Sequence, residues 1–547
     1  MTLKWIIKEN KAQIGKVIAL SLFGVVNAVL GVYLALVLRK TIDAAVAKNM
    51  PIFEHWVKIT FFVIIALVVF RFTIFWLEEH ARVSTENALK CKMLDVIFTR
   101  KYSSIASYHT GELMNRLNND VTTIANSFIS LLPALVSMLV KLLSVITVLF
   151  FLDYRFAFAF FGFGVVIIII SALFRKKMKY YHTRVQEETG KTRSFLQESL
   201  ENTIVIKAFF AKNAIEKENE NNLLEYKKMR MKKNVFSNVL HTGFGALMNF
   251  GFLFGIVWCG YGIIKGDLTY GTLFAVWQLI GQLQAPLGTI SAVIPQYYAM
   301  LASAQRLIEI VELEEYYEEK QENPQFAGIF GNDITMSYKE DLANVLEATH
   351  FNIKKGEFIA ISGTSGIGKS TLIKLLLGLY PLKNGEMCML LDDGTKQPMN
   401  HSLFSYVPQG NALMSGSIAK VVSMYKEELT DADYSAIKEA CKLACADTFI
   451  ELLPQGYDSV LGEKGQGLSE GQMQRIAIAR ALYHNAPVIL LDEATSALDE
   501  ATELKVLENI KTLTDKTIII ITHRKAAFSF CDRTITLTDK KIVEVEK

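Results

Sequence analysis

Six long apolar runs constrain the fold of this chain more than any other feature of its sequence. Each approaches or exceeds the roughly 20 residues that a helix needs to cross the hydrocarbon core of a bilayer. Arg71 and Lys141 are the only Lys, Arg, Asp or Glu residues inside them. In a chain that is 51% hydrophobic with a mean hydropathy of +0.25, such runs predict six membrane-spanning helices. They cover residues 17–38, 59–77, 129–152, 156–174, 239–264 and 268–296.

The distribution of Lys and Arg predicts how these helices are oriented. The loops after the first, third and fifth runs hold few cations, whereas residues 175–184 (RKKMKYYHTR) and 225–233 (EYKKMRMKK) are rich in them. Because positive residues stay inside, both termini of this multi-pass chain are expected on the cytoplasmic side of the plasma membrane. Residues 78–127 and 175–238 are predicted to extend the spanning helices, and about 25 helical residues project roughly 35–40 Å. The basic, amphipathic N-terminus predicts a helix on the membrane surface.

The character of the sequence changes after residue 315. We expect a membrane domain over residues 1–315, a charged linker over 316–328 and a second domain over 329–547. In the second domain, strand-length apolar runs alternate with helical stretches, which predicts an α/β fold with a parallel sheet. The net charge of +3 does not indicate a nucleic-acid partner, and the six scattered Cys residues are expected to be reduced thiols.

The stretch GTSGIGKST (363–371) fits the P-loop pattern G-x-x-x-x-G-K-[ST]. It follows a strand-like run and precedes a helical one, as a P-loop requires. Backbone N–H groups of such a loop surround the phosphates of ATP, Lys369 reaches the β and γ oxygens, and the Ser370 hydroxyl binds Mg²⁺. The predicted nucleotide-binding residues here are Gly363, Ser365, Gly366, Gly368, Lys369, Ser370 and Thr371.

A second chemical motif is VILLDEATSALD (488–499), an apolar strand that ends in two acids. Asp492 suits a Mg²⁺-holding position at the end of the strand. Glu493 points differently and suits a general base for an attacking water. The alternative is that these acids only favour the start of a helix. Gln409 and His523 also follow strand-like runs, and the carboxyl ends of parallel strands gather at one edge of a sheet.

The order GTSGIGKST, VPQ, LSEGQ, VILLDE, SALD and THR resembles the ATP-binding cassette of ABC transporters. Six spans ahead of the cassette resemble the half-transporter exporters of the multidrug, lipid and peptide group. Residues 108–121 (YHTGELMNRLNNDV) and 302–312 (ASAQRLIEIVE) are similar to this group's first cytoplasmic loop and its exit from the sixth span. The resemblance covers nearly the whole chain and implies a membrane α-helical domain fused to an α/β P-loop ATPase.

The resemblance also implies roles for single residues. Tyr338 is similar to the aromatic residue that stacks on adenine, Gln409 to the one that senses Mg²⁺ and contacts the membrane domain, and His523 to the γ-phosphate switch. Ser469 and Gly471 are expected to meet ATP held by a second chain, and Asp499 lies in the loop that crosses to that chain. The loops near 107–120 and 203–215 resemble coupling helices, and residues 460–466 resemble a loop that touches them.

The implied activity is ATP-driven export of an amphiphilic or hydrophobic substrate by alternating access, with Glu493, His523 and Gln409 as catalytic groups. The cofactors would be ATP and Mg²⁺, with Ser370, Gln409 and Asp492 as metal ligands. The expected partners are a second copy or a homologous half-transporter, membrane lipid, and a small amphiphilic or peptide-like substrate, but no nucleic acid. Half of a heterodimeric exporter, an importer and an ATP-gated regulator stay open as alternatives.

The two charges inside the spans are candidates for contact with substrate. Arg71 either has this role, or snorkels, or pairs with Glu78 or Glu79. Lys141 either faces a cavity or packs between helices. With a sixth run free of charge and abundant Phe, the sequence favours an amphiphilic or apolar cargo, which can be anionic.

The sequence departs from the family pattern at two places. Met414 stands where the family often has an aromatic residue, and Glu470 stands where LSEGQ would usually have a second Gly. A carboxylate aimed at a phosphate would oppose ATP binding by Coulomb repulsion. A carboxylate turned aside would stabilise the helix N-terminus by about 0.3–1 kcal/mol. We expect the second geometry.

Overall fold

The computed structural model describes residues 2–316, 326–338, 342–364, 366–410, 412–462, 465 and 467–546. The chain divides into two compact units, Met1–Asp95 with Thr110–Val311 and Val96–His109 with Glu312–Lys547. The segment 96–109, which lies inside the expected membrane domain, thus groups with the second unit. Of the expected linker, residues 317–325 lie outside the described residues.

The described part of the first unit is built from helices, three of which have 49, 48 and 54 residues and are much longer than a bilayer requires. At 1.5 Å per residue, the 54 residues of the longest helix span roughly 80 Å. The polar stretches after the second and fourth apolar runs therefore continue as helix, as predicted. The helices are α1 (Thr2–Glu9), α2 (Ile14–Val46), α3 (Met50–Phe98), α5 (Thr110–Asn115), α6 (Val121–Leu152), α7 (Tyr154–Glu201), α8 (Thr203–Ala208), α9 (Lys212–Lys265), α10 (Tyr270–Gln282) and α11 (Gln284–Val311).

Among the described residues, four helical stretches are long and apolar enough to cross a membrane. They contain the first, second, third and fifth predicted runs. The fourth run lies within α7, where most side chains between residues 160 and 172 are outside the described part. The four stretches are Lys11–Val46, Met50–Phe98, Thr110–Leu152 and Lys212–Lys265.

The sixth predicted run forms two helices instead of one. Helix α10 ends at Gln282 and α11 begins at Gln284, with Leu283 between them. Pro286, three residues after Leu283, gives a reason for this break, because proline has no N–H to donate to the carbonyl of Gln282. This run therefore contains a break in its backbone hydrogen bonding near its middle.

The first residues of α10 are fixed against the end of α2. The Asp43 carboxylate accepts hydrogen bonds from the Gly271 N–H at 2.9 Å and from the Thr269 hydroxyl at 3.0 Å. A Cβ atom on Gly271 would lie 2.3 Å from the Arg39 carbonyl oxygen, so only glycine fits this approach. One carboxylate thereby satisfies N-terminal donors of α10 and sets its distance from α2.

A second carboxylate, which is buried, joins the two stretches that resemble exporter loops. Asp120, which precedes α6, is 2% exposed. It accepts hydrogen bonds from the Ser303 hydroxyl at 2.9 Å and from Arg306 Nε at 2.8 Å, both on α11. Arg116, one turn earlier, pairs with Glu309 of α11 at 3.0 Å. These pairs tie the polar start of α6 to the polar end of α11.

In the described part of the second unit, the main sheet has six strands in the order β12-β11-β3-β10-β9-β6. The pairs β11–β3, β3–β10, β10–β9 and β9–β6 are parallel. The strands are β3 (Phe358–Gly363), β6 (Phe404–Val407), β9 (Val488–Asp492), β10 (Thr517–Ile521), β11 (Arg533–Thr538) and β12 (Lys541–Glu546). A four-stranded antiparallel sheet, ordered β2-β1-β4-β5, contains β1 (Phe326–Met336), β2 (Leu346–Lys354), β4 (Asn384–Leu391) and β5 (Lys396–Pro398).

The central strands of the main sheet are buried on both faces. Ile489 and Leu491 of β9 point into one hydrophobic core, and Val488 and Leu490 into the other. Burial on both faces explains the uninterrupted apolar runs of these strands. The described α-helices of this unit are α4 (Tyr102–Ile105), α12 (Lys369–Leu376), α13 (Ile418–Val422), α14 (Asp431–Leu443), α15 (Asp447–Ile450), α16 (Glu470–His484), α17 (Glu500–Lys511) and α18 (Lys525–Phe530). Strands β7 (Gly416–Ser417) and β8 (Val460–Leu461) form a separate antiparallel pair.

The segment 96–109 is held in the second unit by charge and by ring contacts. Buried Arg100 pairs with Glu315 at 2.6 Å, and the Lys101 N–H donates to the Glu314 carbonyl at 3.0 Å. The Tyr102 ring meets the Tyr380 ring edge-on, with centroids 5.9 Å apart. Chain residues between α3 and α5 therefore contact the α/β unit directly.

Replacing Gly271 with Ala tests the contact between α2 and α10. We expect a lower midpoint of thermal unfolding in detergent, since overpacking against a backbone oxygen costs about 1–3 kcal/mol. Gly260→Ala in α9 is the matched control, because no atom lies within 4 Å of a Cβ there. That control should leave the midpoint unchanged or raise it, since Ala favours helix over Gly by about 1 kcal/mol. Equal midpoints for the two variants would contradict the packing.

Candidate functional site: a nucleotide site at the sheet edge

The predicted P-loop lies between the end of β3 and the start of α12. Gly366 and Gly368 have φ angles of 78° and 112°, a region that disfavours side chains. A Cβ on Gly368 would also approach Val345 Cγ1 to 3.0 Å. Gly363 ends β3, and Ser365 lies outside the described residues. The loop therefore has the strand, turn and helix order that a phosphate-binding loop needs.

Lys369 is folded back over this loop. Its Nζ donates to the carbonyl oxygens of Gly363 at 2.7 Å and Thr364 at 3.1 Å, and the residue is only 7% exposed. The ammonium group is therefore already at the loop where phosphate oxygens would compete with the two carbonyls. Ser370 follows on the first turn of α12 and is exposed.

One ring, one hydroxyl and one cation contact the predicted adenine-stacking residue. Tyr338 is 40% exposed, and its ring is perpendicular to the Tyr380 ring with centroids 5.1 Å apart. The Tyr338 hydroxyl is 2.9 Å from the Thr371 hydroxyl, which fixes the ring against α12. Lys374 Nζ lies 5.6 Å from the Tyr338 ring centroid, within cation–π distance.

Tyr380 connects this group to the segment 96–109, since it also contacts Tyr102. Neither Tyr380 nor Lys374 was predicted from the sequence. Lys374 lies one turn after the P-loop on α12, so helical spacing could have indicated it. Tyr380 is far from Tyr338 along the chain, and only the fold brings the two rings together.

Asp492 is the buried acid of the site. It ends β9 and is 4% exposed. Burial raises the pKa of Asp492 to about 6, the neighbouring Glu493 carboxylate adds to the rise, and Lys369 opposes it. A hydrogen bond from the Tyr406 phenol also reaches this carboxylate. A buried anion whose charge is disfavoured in this way gains stability from a cation.

The oxygen donors near this edge fit Mg²⁺. Hydroxyl, amide and carboxylate oxygens, as in Ser370, Gln409 and Asp492, are the ligands that this hard cation prefers. Within the described ranges, no group of three or more His, Cys, Asp or Glu side chains could hold a metal. Mg²⁺ bound here would therefore depend on mixed oxygen ligands and on substrate phosphates, as is usual for Mg²⁺.

Glu493, Gln409 and His523 meet at the carboxyl ends of three adjacent strands. Gln409 Nε2 donates to Glu493 Oε2 at 2.8 Å, and His523 Nε2 lies 3.9 Å from Glu493 Oε1. The residues follow β6, β9 and β10, which pair in parallel. Sequence reasoning predicted all three, and parallel pairing is what brings them together.

Glu493 itself has a strained backbone, with a φ of 50°. For a residue with a Cβ this conformation costs about 1–2 kcal/mol. The Glu493 N–H donates to the Ile521 carbonyl of β10 at 3.0 Å, which holds the turn in place. Strain that is held by neighbouring strands in this way is typical of functional sites.

The LSEGQ stretch begins a helix, as predicted. Ser469 caps α16: its hydroxyl accepts from the Gln472 N–H at 3.3 Å, while Gln472 Oε1 accepts from the Ser469 N–H at 2.9 Å. Glu470 is the first helical residue and is exposed. A Cβ on Gly471 would lie 2.9 Å from the Ala497 carbonyl oxygen. In the described residues, the hydrogen bonds of Ser469 stay within its own helix start and do not reach the P-loop.

Other predicted elements have simple local structures. Asp499 caps α17 by accepting from the Thr502 N–H at 3.0 Å, and this hydrogen bond lowers the pKa of its carboxyl.

Met414 is 58% exposed. Of the predicted loop 460–466, Glu463, Lys464 and Gln466 lie outside the described residues.

The two intramembrane charges have different surroundings. Arg71 is exposed, with its guanidinium 5.9 Å from the Phe75 ring centroid. Glu78 and Glu79, the acids considered as its partners, instead pair with Arg82 at 2.9 and 2.7 Å. Lys141 is half-buried in α6 and forms no ion pair with another described residue.

The fold and the site define a membrane-embedded protein with a P-loop ATPase domain. Residues 17–287 match the family described as ABC transporter transmembrane region, and residues 346–496 match the family described as ABC transporter. An ATP-dependent lipid A-core flippase of Desulfotalea psychrophila is 31% identical over 461 residues, which cover 81% of this chain and 78% of that protein. A protein of the same name from Syntrophus aciditrophicus is 31% identical over 469 residues, covering 83% and 76%.

Two further similarities concern other exporters. The alpha-hemolysin translocation ATP-binding protein HlyB of Escherichia coli is 33% identical over 386 residues, 70% of this chain and 54% of that one. A solved structure of a bacterial Atm1-family ABC exporter with ATP bound matches the fold with a TM-score of 0.77 at 22% identity, covering 98% of this chain and 94% of that one. The chain belongs to the ABC transporter family, as a half-transporter of exporter type whose ATPase is coupled to transport.

The position of Glu470 gives a testable expectation. Because the carboxylate is exposed at the first helical position, Glu470→Gly should leave the ATPase rate within about twofold. The change should cost only helix stability, since an acid at a helix N-terminus contributes about 0.3–1 kcal/mol. Steady-state ATPase assays over a range of ATP concentrations would measure this.

Glu500→Gly is the matched control, because Glu500 is also the first residue of a capped helix. A several-fold rise in ATP affinity in Glu470→Gly but not in Glu500→Gly would show that Glu470 repels the nucleotide.

Proposed function

We propose that this chain is an ATP-driven exporter of an amphiphilic substrate and that it acts as a homodimer with two ATP sites. The observation that carries the proposal is the meeting of Gln409, Glu493 and His523 beside a P-loop in one chain. With these groups present, each copy has its own means of hydrolysis. A heterodimer with one degenerate site would not require this.

In this proposal, the P-loop and Lys369 bind the phosphates, and Tyr338 stacks on adenine. Ser370, Gln409 and Asp492 would hold Mg²⁺, and the chemistry that this ion would supply is neutralisation of charge on the phosphates. The raised pKa of Asp492 supports this role, because burial leaves the carboxylate in need of a cation. Gly363, Ser365, Gly366, Gly368 and Thr371 complete the nucleotide site.

Glu493 takes a proton from the attacking water, and Gln409 fixes the carboxylate by donating to one of its oxygens. The other oxygen faces His523 at 3.9 Å, so the imidazole is positioned to contact the γ-phosphate near the same carboxylate. A hydrogen-bonded carboxylate with one free oxygen can serve as a general base.

Ser469 and Gly471 are proposed to complete the site of the other copy. The Ser469 hydroxyl accepts one hydrogen bond within its helix and retains a proton to donate to a phosphate oxygen. The N-terminus of α16 adds its dipole and free N–H groups, which favour anions. Asp499 would approach the same interface.

An exposed apolar loop supports a dimer. Ile204, Phe209 and Phe210, at α8, are 83, 79 and 92% exposed. This loop lies in a polar part of the chain, between the extended ends of α7 and α9, where lipid would not cover it. We propose that it docks on the cassette of the second copy, because burial of such side chains is favourable by about 25 cal/mol per Å². ATP-driven closure of the cassettes would then reach the spanning helices through this contact and through α4.

The substrate class is proposed from the membrane unit and from relatives. A groove of about 380 Å³ between α2 and α6 is mostly apolar, with the polar groups of Tyr33, Ser144 and Thr147 among its lining. Lys141 lies on the same helix as part of that lining. The relatives named for lipid A-core favour an anionic amphiphile. We propose plasma-membrane location with both termini cytoplasmic, from the distribution of Lys and Arg.

Reconstitution into proteoliposomes tests the proposal. We expect ATPase activity that an anionic amphiphile stimulates, together with ATP-dependent movement of that amphiphile between leaflets. Glu493→Gln should lower turnover by at least about a hundredfold, the scale of a lost general base, while a fluorescent ATP analogue still binds. Glu508→Gln, a change of an exposed acid on α17, is the matched control.

Two results would contradict the proposal. Phosphate release at the wild-type rate from Glu493→Gln would refute the base assignment. ATP hydrolysis that moves no amphiphile, and that none stimulates, would favour an ATP-gated regulator.

A further inference from the structure

The turn that follows β9, residues 493–499, is hydrogen-bonded by two side chains that the proposed mechanism does not use. We call this turn the bridge segment. The two side chains are Gln474 of α16 and Arg524, which lies in the loop between β10 and α18. The bridge segment begins with Glu493, the proposed general base.

Gln474 of α16 holds the bridge segment by hydrogen bonds. It is 2% exposed, so its amide cannot satisfy its hydrogen bonds with water. Its Nε2 donates to the Ser496 hydroxyl at 2.9 Å and lies 3.5 Å from the Glu493 carbonyl oxygen. Its Oε1 accepts from the Ala497 N–H at 2.9 Å. One buried side chain on α16 therefore contacts three residues of the turn, Glu493, Ser496 and Ala497.

Arg524 binds the same turn through other acceptors. Its guanidinium donates to the carbonyl oxygens of Ser496 at 2.6 Å and Leu498 at 2.7 Å. A third hydrogen bond, of 2.9 Å, goes to the Glu503 carboxylate. Only a planar fork with several N–H groups can meet these three acceptors at once.

Glu503 explains why the Arg524 side chain has a fixed position. The residue is 1% exposed, and its other oxygen accepts from the Thr495 hydroxyl at 2.7 Å. A buried carboxylate is costly unless it is paired and hydrogen-bonded. The pair with Arg524 therefore has one well-satisfied arrangement, and that arrangement fixes the bridge segment.

The bridge segment also touches the start of α16. The Ala497 carbonyl lies 2.9 Å from where a Cβ on Gly471 would be, so no side chain separates the two backbones. Ser496 and Leu498, the two residues bound by Arg524, flank Ala497. If the turn shifts, the Ala497 carbonyl must either clash with Gly471 or displace it, because close-packed contacts do not deform continuously.

We infer that Gln474 and Arg524 are positioning residues that couple the catalytic groups of one copy to the segment it presents to the other copy. Arg524 follows His523 directly, and Gln474 lies one turn after Gly471 on α16. The bridge segment thus joins Glu493 and His523, which act on the chain's own ATP, to Ser469 and Gly471, which complete the partner's site. This inference rests on the proposed homodimer.

Mixed dimers of two differently tagged chains test the coupling. In the reference dimer, one chain is wild type and its partner carries Glu493→Gln, so turnover comes from the ATP held by the wild-type chain. In the proposed dimer, that site is completed by Ser469 and Gly471 of the mutant chain. Arg524→Ala is then added to the mutant chain only, which can no longer hydrolyse its own ATP.

We expect the added change to lower kcat of the mixed dimer at least about tenfold, because three charge-assisted hydrogen bonds that position the turn are lost. Binding of a fluorescent ATP analogue to the mutant chain should stay unchanged. Gln474→Ala in the same chain should have the same effect. Lys525→Ala, an exposed neighbour, is the matched control and should leave kcat at the reference value.

Arg524→Lys separates positioning from folding. The amine keeps the charge opposite Glu503 but cannot span both carbonyls. We expect the unfolding midpoint of this variant to approach that of wild type, while kcat of the mixed dimer stays low. Recovery of kcat together with the midpoint would assign Arg524 a merely structural role.

The outcomes distinguish the inference from the function on which it rests. If the two tags co-purify and the kcat of the Arg524→Ala and Gln474→Ala dimers equals the reference, the coupling inference is overturned alone. If the tags do not co-purify, the homodimer is overturned, and the inference with it.

Discussion

The parallel pairing of β6, β9 and β10 is the constraint on which the ATP site depends. Because parallel strands end at the same edge, three short runs that are far apart in sequence deliver Gln409, Glu493 and His523 to one place. Burial of β9 on both faces then sets the chemistry of its end. The same dehydration that stabilises the sheet raises the pKa of Asp492, so the carboxylate at this position gains stability from a nearby cation.

The site is stabilised by its neighbours and not by its own local preferences. Glu493 adopts a backbone conformation that costs energy. Its N–H donates to a carbonyl of β10 and its carbonyl oxygen accepts from Gln474 of α16, and these hydrogen bonds retain the conformation. The membrane unit follows the same rule, since partly buried Asp43 and buried Asp120 are each hydrogen-bonded by groups of another helix. Buried polar groups with several partners therefore fix the geometry in both units.

Much of this was accessible from the sequence, because it depends on local patterns. The P-loop spacing, the acid pair and the helix start at Ser469 each predict an element that the fold contains, and the family resemblance is confirmed. The Tyr338–Tyr380 contact and the grouping of residues 96–109 with the cassette depend on tertiary packing, which no local pattern encodes. Pro286 indicates the helix break at Leu283, but the uniformly apolar composition of the run led to the prediction of a single spanning helix.

We propose that each ATP site is built from two chains, and mixing two inactive variants measures this directly. The variants are Lys369→Ala, which lacks the phosphate-binding amine, and Ser469→Arg, which blocks the start of α16. In a mixed dimer, the P-loop of the Ser469→Arg chain meets the intact Ser469 of the other chain. We expect ATPase activity to reappear on mixing. Activity that stays at the level of the separate variants, in dimers shown to contain both chains, would contradict it.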